Sequence, residues 1–279
     1  MPEPVVESVE GTPAPPLRSI IGGYLGYRIE DAPTIHRGLP SRYVTFIISL
    51  ADQVDTVRMP DPRQPPAKFQ AFVAGLHATP ALIRQAGIES GISISLTPLG
   101  SRALLGMPAG ELASTVVDLE EVFGSTGSGL ADQLASAPGW HERFALLDGQ
   151  LIDRLRDVAG PPPEVGYAWQ RLVASHGAVA VAALADEVGY SRRHLNDLFA
   201  RELGLAPKAA ARVLRFERSR RLIEAAKGQG LAGVAAAAGY YDQAHMTRDW
   251  REIAGCPPTT WIAEELPSVQ DAPVALGAD

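Results

Sequence analysis

A chain of 279 residues that is 46% hydrophobic and 20% charged can bury a sizeable core and is long enough for two domains. Its one cysteine, Cys256, excludes an internal disulfide and a multi-cysteine zinc site, and no run approaches the roughly 18 consecutive apolar residues of a membrane span. The net charge of −7 does not exclude a nucleic-acid partner, because residues 167–263 carry 13 Lys and Arg against 9 Asp and Glu, and the acidic surplus lies elsewhere.

In chain order, residues 1–16 (MPEPVVESVEGTPAPP) mix Pro and Glu without periodicity, which predicts a disordered tail. The same stretch lacks the basic-then-apolar pattern of a secretory leader, so the expected location is the cytoplasm. Six short segments rich in β-branched and aromatic residues follow, 18–29, 43–50, 53–59, 69–76, 80–86 and 90–96, separated by Pro, Gly or Asp. This spacing predicts a mainly-β barrel or sandwich. Alternation of Ile92, Ile94 and Leu96 with Ser93 and Ser95 marks a half-buried strand. Beyond Thr97 the pattern turns helical. Residues 98–114 read as two short helices broken at Gly106-Met107-Pro108, and 116–124 and 129–137 as two more. Phe144, Leu147, Leu151, Leu155 and Val158 recur every three or four places, which predicts an amphipathic helix over 140–158. Its apolar side suits either closure of the β domain or pairing with a second copy. The run Ala159-Gly-Pro-Pro-Pro163 cannot continue a helix and forms a short, stiff linker over 159–164.

From Val165 every segment reads as helix, the first with Trp169, Leu172 and Val173 on its core side. The next ends at Gly189-Tyr190, and Ser191 is the N-cap of its successor. There Leu195, Leu198 and Phe199 share an arc of ~100° and face inward. Arg193, Asn196, Asp197 and Ala200 then face outward, with Arg192 at the N-terminal end. About fifty residues later the grammar returns: LAGVAAAAGYYDQ ends a short helix at Gly239-Tyr240, and Asp242 caps the next. Met246, Trp250 and Ile253 turn inward, while Ala244, Thr247, Arg248 and Arg251 turn outward, with Gln243 at the entry. Each pair closes on Gly-x-x-Pro, at 204–207 and 255–258. These are two helix-turn-helix units. A recognition helix presents its N-terminal half to base edges in the major groove, where Arg suits guanine and Asn suits adenine. Asp197 either accepts from cytosine or orients Arg193 one turn away. Between the units, residues 207–227 form a long helix. Its Arg212, Arg215, Arg218, Arg220 and Arg221 cannot share one face, so some bind the domain body through Glu217, Glu224 or backbone carbonyls and others reach phosphate.

Region 165–263 resembles the DNA-binding domain of the AraC-type (AraC/XylS) transcriptional regulators, two helix-turn-helix units joined by a long helix. The resemblance rests on Ala185, Gly189, Ser191, His194-Leu195, Phe199, Gly204-x-x-Pro207, Arg215 and Leu222-Ile223, and then on Val234-Ala235, Gly239-Tyr240, Asp242-Gln243, His245, Arg248, Trp250, Gly255 and Pro258. It implies base reading by Arg193, Asn196 and Asp197 in the first unit and by Gln243, Ala244, His245 and Arg248 in the second. Ser191, Arg192, Thr247 and Arg251 are then candidates for the DNA backbone. Departures lie at Lys208-Ala209-Ala210, which lacks the usual aromatic, at Met246 in place of Phe, and at Ala244, which offers no hydrogen bond. The second unit is therefore expected to act mainly through Gln243, Arg248 and phosphate, and His245 to serve structure as readily as recognition.

The implied architecture is α+β: an N-terminal mainly-β, cupin-like barrel with flanking helices over 17–158, acting as sensor or dimerisation domain, then the linker, the all-α double helix-turn-helix domain over 165–263, and a disordered tail over 264–279. The implied partners are double-stranded promoter or operator DNA, a small-molecule effector, RNA polymerase and a second copy of the chain, with no membrane. An alternative is control by a protein partner in place of a ligand. A DNA alkyl-transfer repair enzyme, which some proteins with such a domain resemble, needs several cysteines and a zinc, and only Cys256 is present. His36 and His77 lie far apart and no phosphate loop, nucleophile elbow or H-E-x-x-H occurs, so no enzyme activity, metal or cofactor is expected.

Overall fold

The computed structural model describes residues 5–30, 32–85, 87–127, 129–225 and 230–265. Its N-terminal half holds ten strands among these residues: β1 (Val5–Gly11), β2 (Ile21–Glu30), β3 (Thr34–Gly38), β4 (Val44–Ser49), β5 (Val54–Arg58), β6 (Ala67–Phe69), β7 (Ala71–Ala74), β8 (Ala81–Gln85), β9 (Ile88–Leu96) and β10 (Val116–Asp118). They form two antiparallel sheets, ordered β1-β2-β9-β4-β7-β10 and β3-β8-β5-β6. Neither sheet closes, so the mainly-β reading holds as two open sheets and the cupin-like barrel is not formed. The reason lies in what covers the apolar face. Tyr24, Phe46, Ile92 and Ile94 of the larger sheet pack on Phe123, Leu130, Leu134, Phe144, Leu147 and Leu151 from helices, so the sheet does not need to wrap onto itself. The smaller sheet adds a second cluster through Met59 and Phe69 against Phe72, Ala74 and Val116.

Each of the six expected strand segments contains a strand, and Ile92, Ile94 and Leu96 are buried between half-exposed serines. Four strands depart from expectation. Residues 5–11 form β1, not a disordered tail, because they pair along the whole edge of β2 from Val5 opposite Glu30 to Gly11 opposite Tyr24. The ladder supplies what the Pro- and Glu-rich composition does not. Residues 1–4 of that tail lie outside the described residues. Likewise β3 is ordered by β8, β6 by β5, and β10 by β7.

The helices covering the larger sheet are α1 (Ser101–Leu105), α2 (Leu119–Phe123), α3 (Leu130–Ser136) and α4 (Trp140–Ile152). The chain breaks after α1 at Gly106, whose φ of 77° lies in the region that favours glycine. Helix α4 ends six residues before the expected Val158. The Arg156 amide instead donates to the Ala103 carbonyl at 2.9 Å, and Val158 is exposed. The apolar side of α4 is spent inside the domain, which decides between the two roles left open for it.

The C-terminal half is α5 (Pro163–Ala174), α6 (Val181–Glu187), α7 (Arg192–Leu203), α8 (Pro207–Ala225), α9 (Leu231–Ala237), α10 (Gln243–Ile253) and α11 (Pro258–Glu264). Pro163 opens α5 at the first helical position, where its missing N–H costs nothing, so the linker is shorter than 159–164. Helix α8 is a shared spine. Its Val213 and Leu214 join Trp169, Leu172, Leu184, Leu195 and Phe199, while its Phe216 and Ile223 join Val234, Met246, Trp250 and Trp261. Lys227 lies outside the described residues, as do 266–279 of the expected C-terminal tail. Glu264 and Glu265 of that tail belong to the fold: Glu264 ends α11, and buried Glu265 meets Arg37 at 2.7 Å. No helix among the described residues is long and apolar enough to cross a membrane.

Candidate nucleic-acid interface

The two helix pairs follow one register. Helices α6 and α9 each end at a glycine in the left-handed region, Gly189 (φ 71°) and Gly239 (φ 84°), followed by a tyrosine. Each tyrosine ring meets a histidine edge-on, Tyr190 with His194 at 4.6 Å and Tyr240 with His245 at 5.2 Å between centroids. As expected, Ser191 caps α7 by accepting from the His194 amide at 3.2 Å, and Asp242 caps α10 by accepting from the His245 amide at 2.6 Å. Both second helices end at positive-φ glycines, Gly204 and Gly255, and the next helices open on Pro207 and Pro258. The register slips once, because Tyr241 is an extra residue between Tyr240 and the cap.

Burial then fixes the outward faces. Leu195, Leu198 and Phe199 of α7 are buried, as are Met246, Trp250 and Ile253 of α10. Arg192, Arg193, Asn196 and Asp197 stand exposed on the first unit, and Gln243, Ala244, Arg248 and Arg251 on the second, with Thr247 half-buried beside them. Gln243, Ala244, Thr247, Arg248 and Arg251 line one surface depression. Among the described residues, the side chains of Arg192, Arg193, Asn196, Asp197, Gln243, Arg248 and Arg251 make no hydrogen bond or ion pair within the chain. Arg193 and Asp197 do not pair, so the orienting role considered for Asp197 is absent from this state. His245 is half-buried against Tyr240, and its ring serves the turn.

The acids of this half are largely neutralised. Buried Asp249 accepts from Arg212 at 2.9 Å, and Glu252 also binds that guanidinium. Glu224 takes Arg220 at 2.5 Å, and Glu187 takes Arg171 at 2.9 Å and the Tyr167 hydroxyl at 2.9 Å. The Arg171 and Tyr167 hydrogen bonds hold the Glu187 carboxyl below its ordinary range. Arg215 donates to the Gly177 carbonyl at 2.9 Å. Three of the five α8 arginines thus bind the domain body, as their spread around the helix required. The unpaired cations of α7 and α10 therefore dominate the outer face, which is what phosphate binding needs.

A model described as a helix-turn-helix domain matches residues 184–264, from inside α6 to the end of α11. Residues 184–264 are an AraC-type helix-turn-helix domain. A second model, of a domain of unknown function (DUF6597), matches residues 9–118, which span β2 to β10 and the last three residues of β1. The fold of the whole chain resembles ToxT from Vibrio cholerae O395, at 9% identity over 94% of this chain and 98% of that one, with a TM-score of 0.50. ToxT bound to (E)-4-(8-methylnaphthalen-1-yl)but-3-enoic acid matches equally, at 9% identity over 94% and 99%, with a TM-score of 0.50. An AraC-type DNA-binding-domain protein from Chromobacterium violaceum is 25% identical over 36% of this chain and 90% of its own, with a TM-score of 0.33. Among proteins of curated function, none matches the chain in sequence.

The AraC-type domain is not free-standing. Leu76, from the β domain, is fully buried in the core of the first unit, and Leu99 packs beside it. The turn Ala109–Leu112 lies against α7 so closely that a Cβ on Gly110 would sit 2.0 Å from the Arg201 carbonyl oxygen. Three β-domain arginines reach acids of the AraC-type domain. Arg102 binds Glu202 at the end of α7 at 2.8 Å, Arg42 binds Glu217 of α8 at 2.8 Å, and Arg37 binds Glu264 and Glu265 at 2.8 and 2.7 Å. His36 adds a contact to Glu265 at 3.1 Å. Burial pushes the Glu265 carboxyl up, but His36 and Arg37 outweigh it and the group lies below its ordinary value. His77 is buried with Nδ1 2.6 Å from the Thr79 carbonyl oxygen, and burial lowers its pKa. None of these contacts has a local sequence signal.

Proposed function

We propose that this AraC-type DNA-binding regulator reads its operator with α7 and α10 in successive major grooves, and that its β domain, as a cytoplasmic homodimer, receives a small-molecule effector. The observation that carries the DNA reading is the pair of matching outer faces, whose arginines and amides are exposed and uncommitted within the chain. Arg193 and Asn196 take base edges in the first unit. Gln243 and Arg248 do so in the second, with Asp197, Ala244 and His245 as minor neighbours, and Ser191, Arg192, Thr247 and Arg251 meet the backbone. Support for an effector is of fold only: ToxT binds an aryl carboxylic acid on a similar framework. Dimerisation needs a face other than the apolar side of α4, and RNA polymerase is the partner at the promoter. We read the chain as a regulator and not an enzyme.

The test is selection of duplexes bound by the full chain, followed by Arg193→Ala on the selected site. We expect an enriched motif, and a loss of about 1–3 kcal/mol confined to one base position. No enriched motif would sink sequence-specific reading. Equal loss on selected and random DNA would remove Arg193 from the base-reading set.

A further inference from the structure

We propose that Tyr241 is a DNA contact, its phenolic hydroxyl donating to a backbone phosphate beside the second half-site. This rests on the operator reading above. Tyr241 is 93% exposed, far beyond any other large apolar or aromatic side chain of the described residues. A tyrosine carries a large apolar ring and one polar tip, and such residues are enriched where one side is dry and the other wet, as at interfaces. Its position is as telling as its exposure. The two units share one register except for a single inserted residue, and the insertion is Tyr241. It precedes the Asp242 cap, at the N-terminal end of α10, the end that a recognition helix turns toward DNA.

The insertion frees Tyr241 from any role in the turn. Tyr240 already packs edge-on against His245, the cap is Asp242, and the glycine at positive φ is Gly239. Nothing in the fold explains a tyrosine where a small polar residue would do. The face beside it supplies the explanation. Ala244 occupies the place that Arg193 holds in the first unit, so the second unit has one polar DNA-facing group fewer near its entry. A hydroxyl from the preceding turn adds a polar contact at the same end of the helix. Phosphate oxygens commonly accept from tyrosine hydroxyls, and such bonds set position without reading sequence. The contact is also neutral, so it releases no counterion.

The experiment compares wild type, Tyr241→Phe and Tyr241→Ala, each as full chain, on a selected duplex and on random DNA over a series of salt concentrations. Melting curves confirm folding, which an exposed side chain leaves intact. We expect both variants to bind roughly three- to tenfold more weakly, the size of one hydrogen bond, equally on both DNAs and with an unchanged salt slope. Loss in Tyr241→Ala alone would assign the contact to the ring and overturn the hydroxyl–phosphate bond. Loss confined to one base position, or no loss in either variant, would overturn it as well. Failure of the wild type to select any motif would instead strike the underlying reading, so the two failures are distinct.

Discussion

The two helix-turn-helix units share a register but differ in what supports them. The first is completed from outside: Leu76 fills its core, the Ala109–Leu112 turn lies on α7, and Arg102 binds Glu202 at the end of that helix. The second has a core built of its own helices, with Trp250 packed on Phe216 and Trp261 and Asp249 pinned by Arg212. The β domain meets it at the edge, through Leu39 and the ion pairs to α8 and α11. The unit with the richer base-reading face is therefore the one whose core and recognition helix the β domain holds directly. A change in the β domain reaches Arg193 and Asn196 through one helix, whereas its ion pairs to the second half fall on α8 and α11 and not on α10.

The strongest break in that comparison is Leu76→Ala. Removing this buried side chain is expected to cost about 2–5 kcal/mol. Amide exchange should rise in α5–α7 and stay slow in α10, and equal acceleration in both units would refute separate support. A milder break is Arg102→Ala, which leaves buried Glu202 with only Arg201 at 3.5 Å and is expected to cost about 1–3 kcal/mol. Gly110→Ala attacks the same contact by sterics alone, since its Cβ must displace the Arg201 carbonyl. Both variants should alter specific affinity more than Arg42→Ala does, measured by titration of the selected operator.

Next comes the contact at α11. Because the Glu265 carboxyl is held below its ordinary value of 4.5, its ion pairs stabilise the fold above that pH and are lost as the pH falls through the lowered value. Glu265→Gln should therefore melt lower than wild type at pH 6, and the gap should close as the pH falls through and below 4.5. A gap constant with pH would show that the charge of Glu265 does not matter to the contact.

The legible parts of the molecule were those with local signals. Ser191 and Asp242 announced their caps, apolar spacing placed Leu195, Phe199, Met246 and Trp250 inside, and the serine alternation marked β9. Strand β1 was illegible because an edge strand is stabilised by its partner's ladder, and Val5–Gly11 carries too few apolar residues to declare itself. The interdomain grip was illegible for a related reason. Arg102 and Glu202 are a hundred positions apart, and a surface arginine reads the same whether it meets water, phosphate or a buried glutamate. Whether the sheets close was not legible, because strand spacing predicts strands and is the same for a barrel and a sandwich.

The smallest effect expected is also the one that sharpens the comparison most. Arg248→Ala removes a charged group from a face whose neighbour Ala244 makes no polar contact, so the second unit should lose about 1 kcal/mol, less than Arg193→Ala costs the first. The salt dependence separates the roles. If Arg248 meets phosphate, its variant binds more weakly on all sequences and the salt slope falls by about one unit. If it reads a base, the loss is confined to one position of the second half-site. A loss larger than that of Arg193→Ala would reverse the assignment of specificity to the first unit, and with it the inference that the β domain holds the recognition helix that reads most.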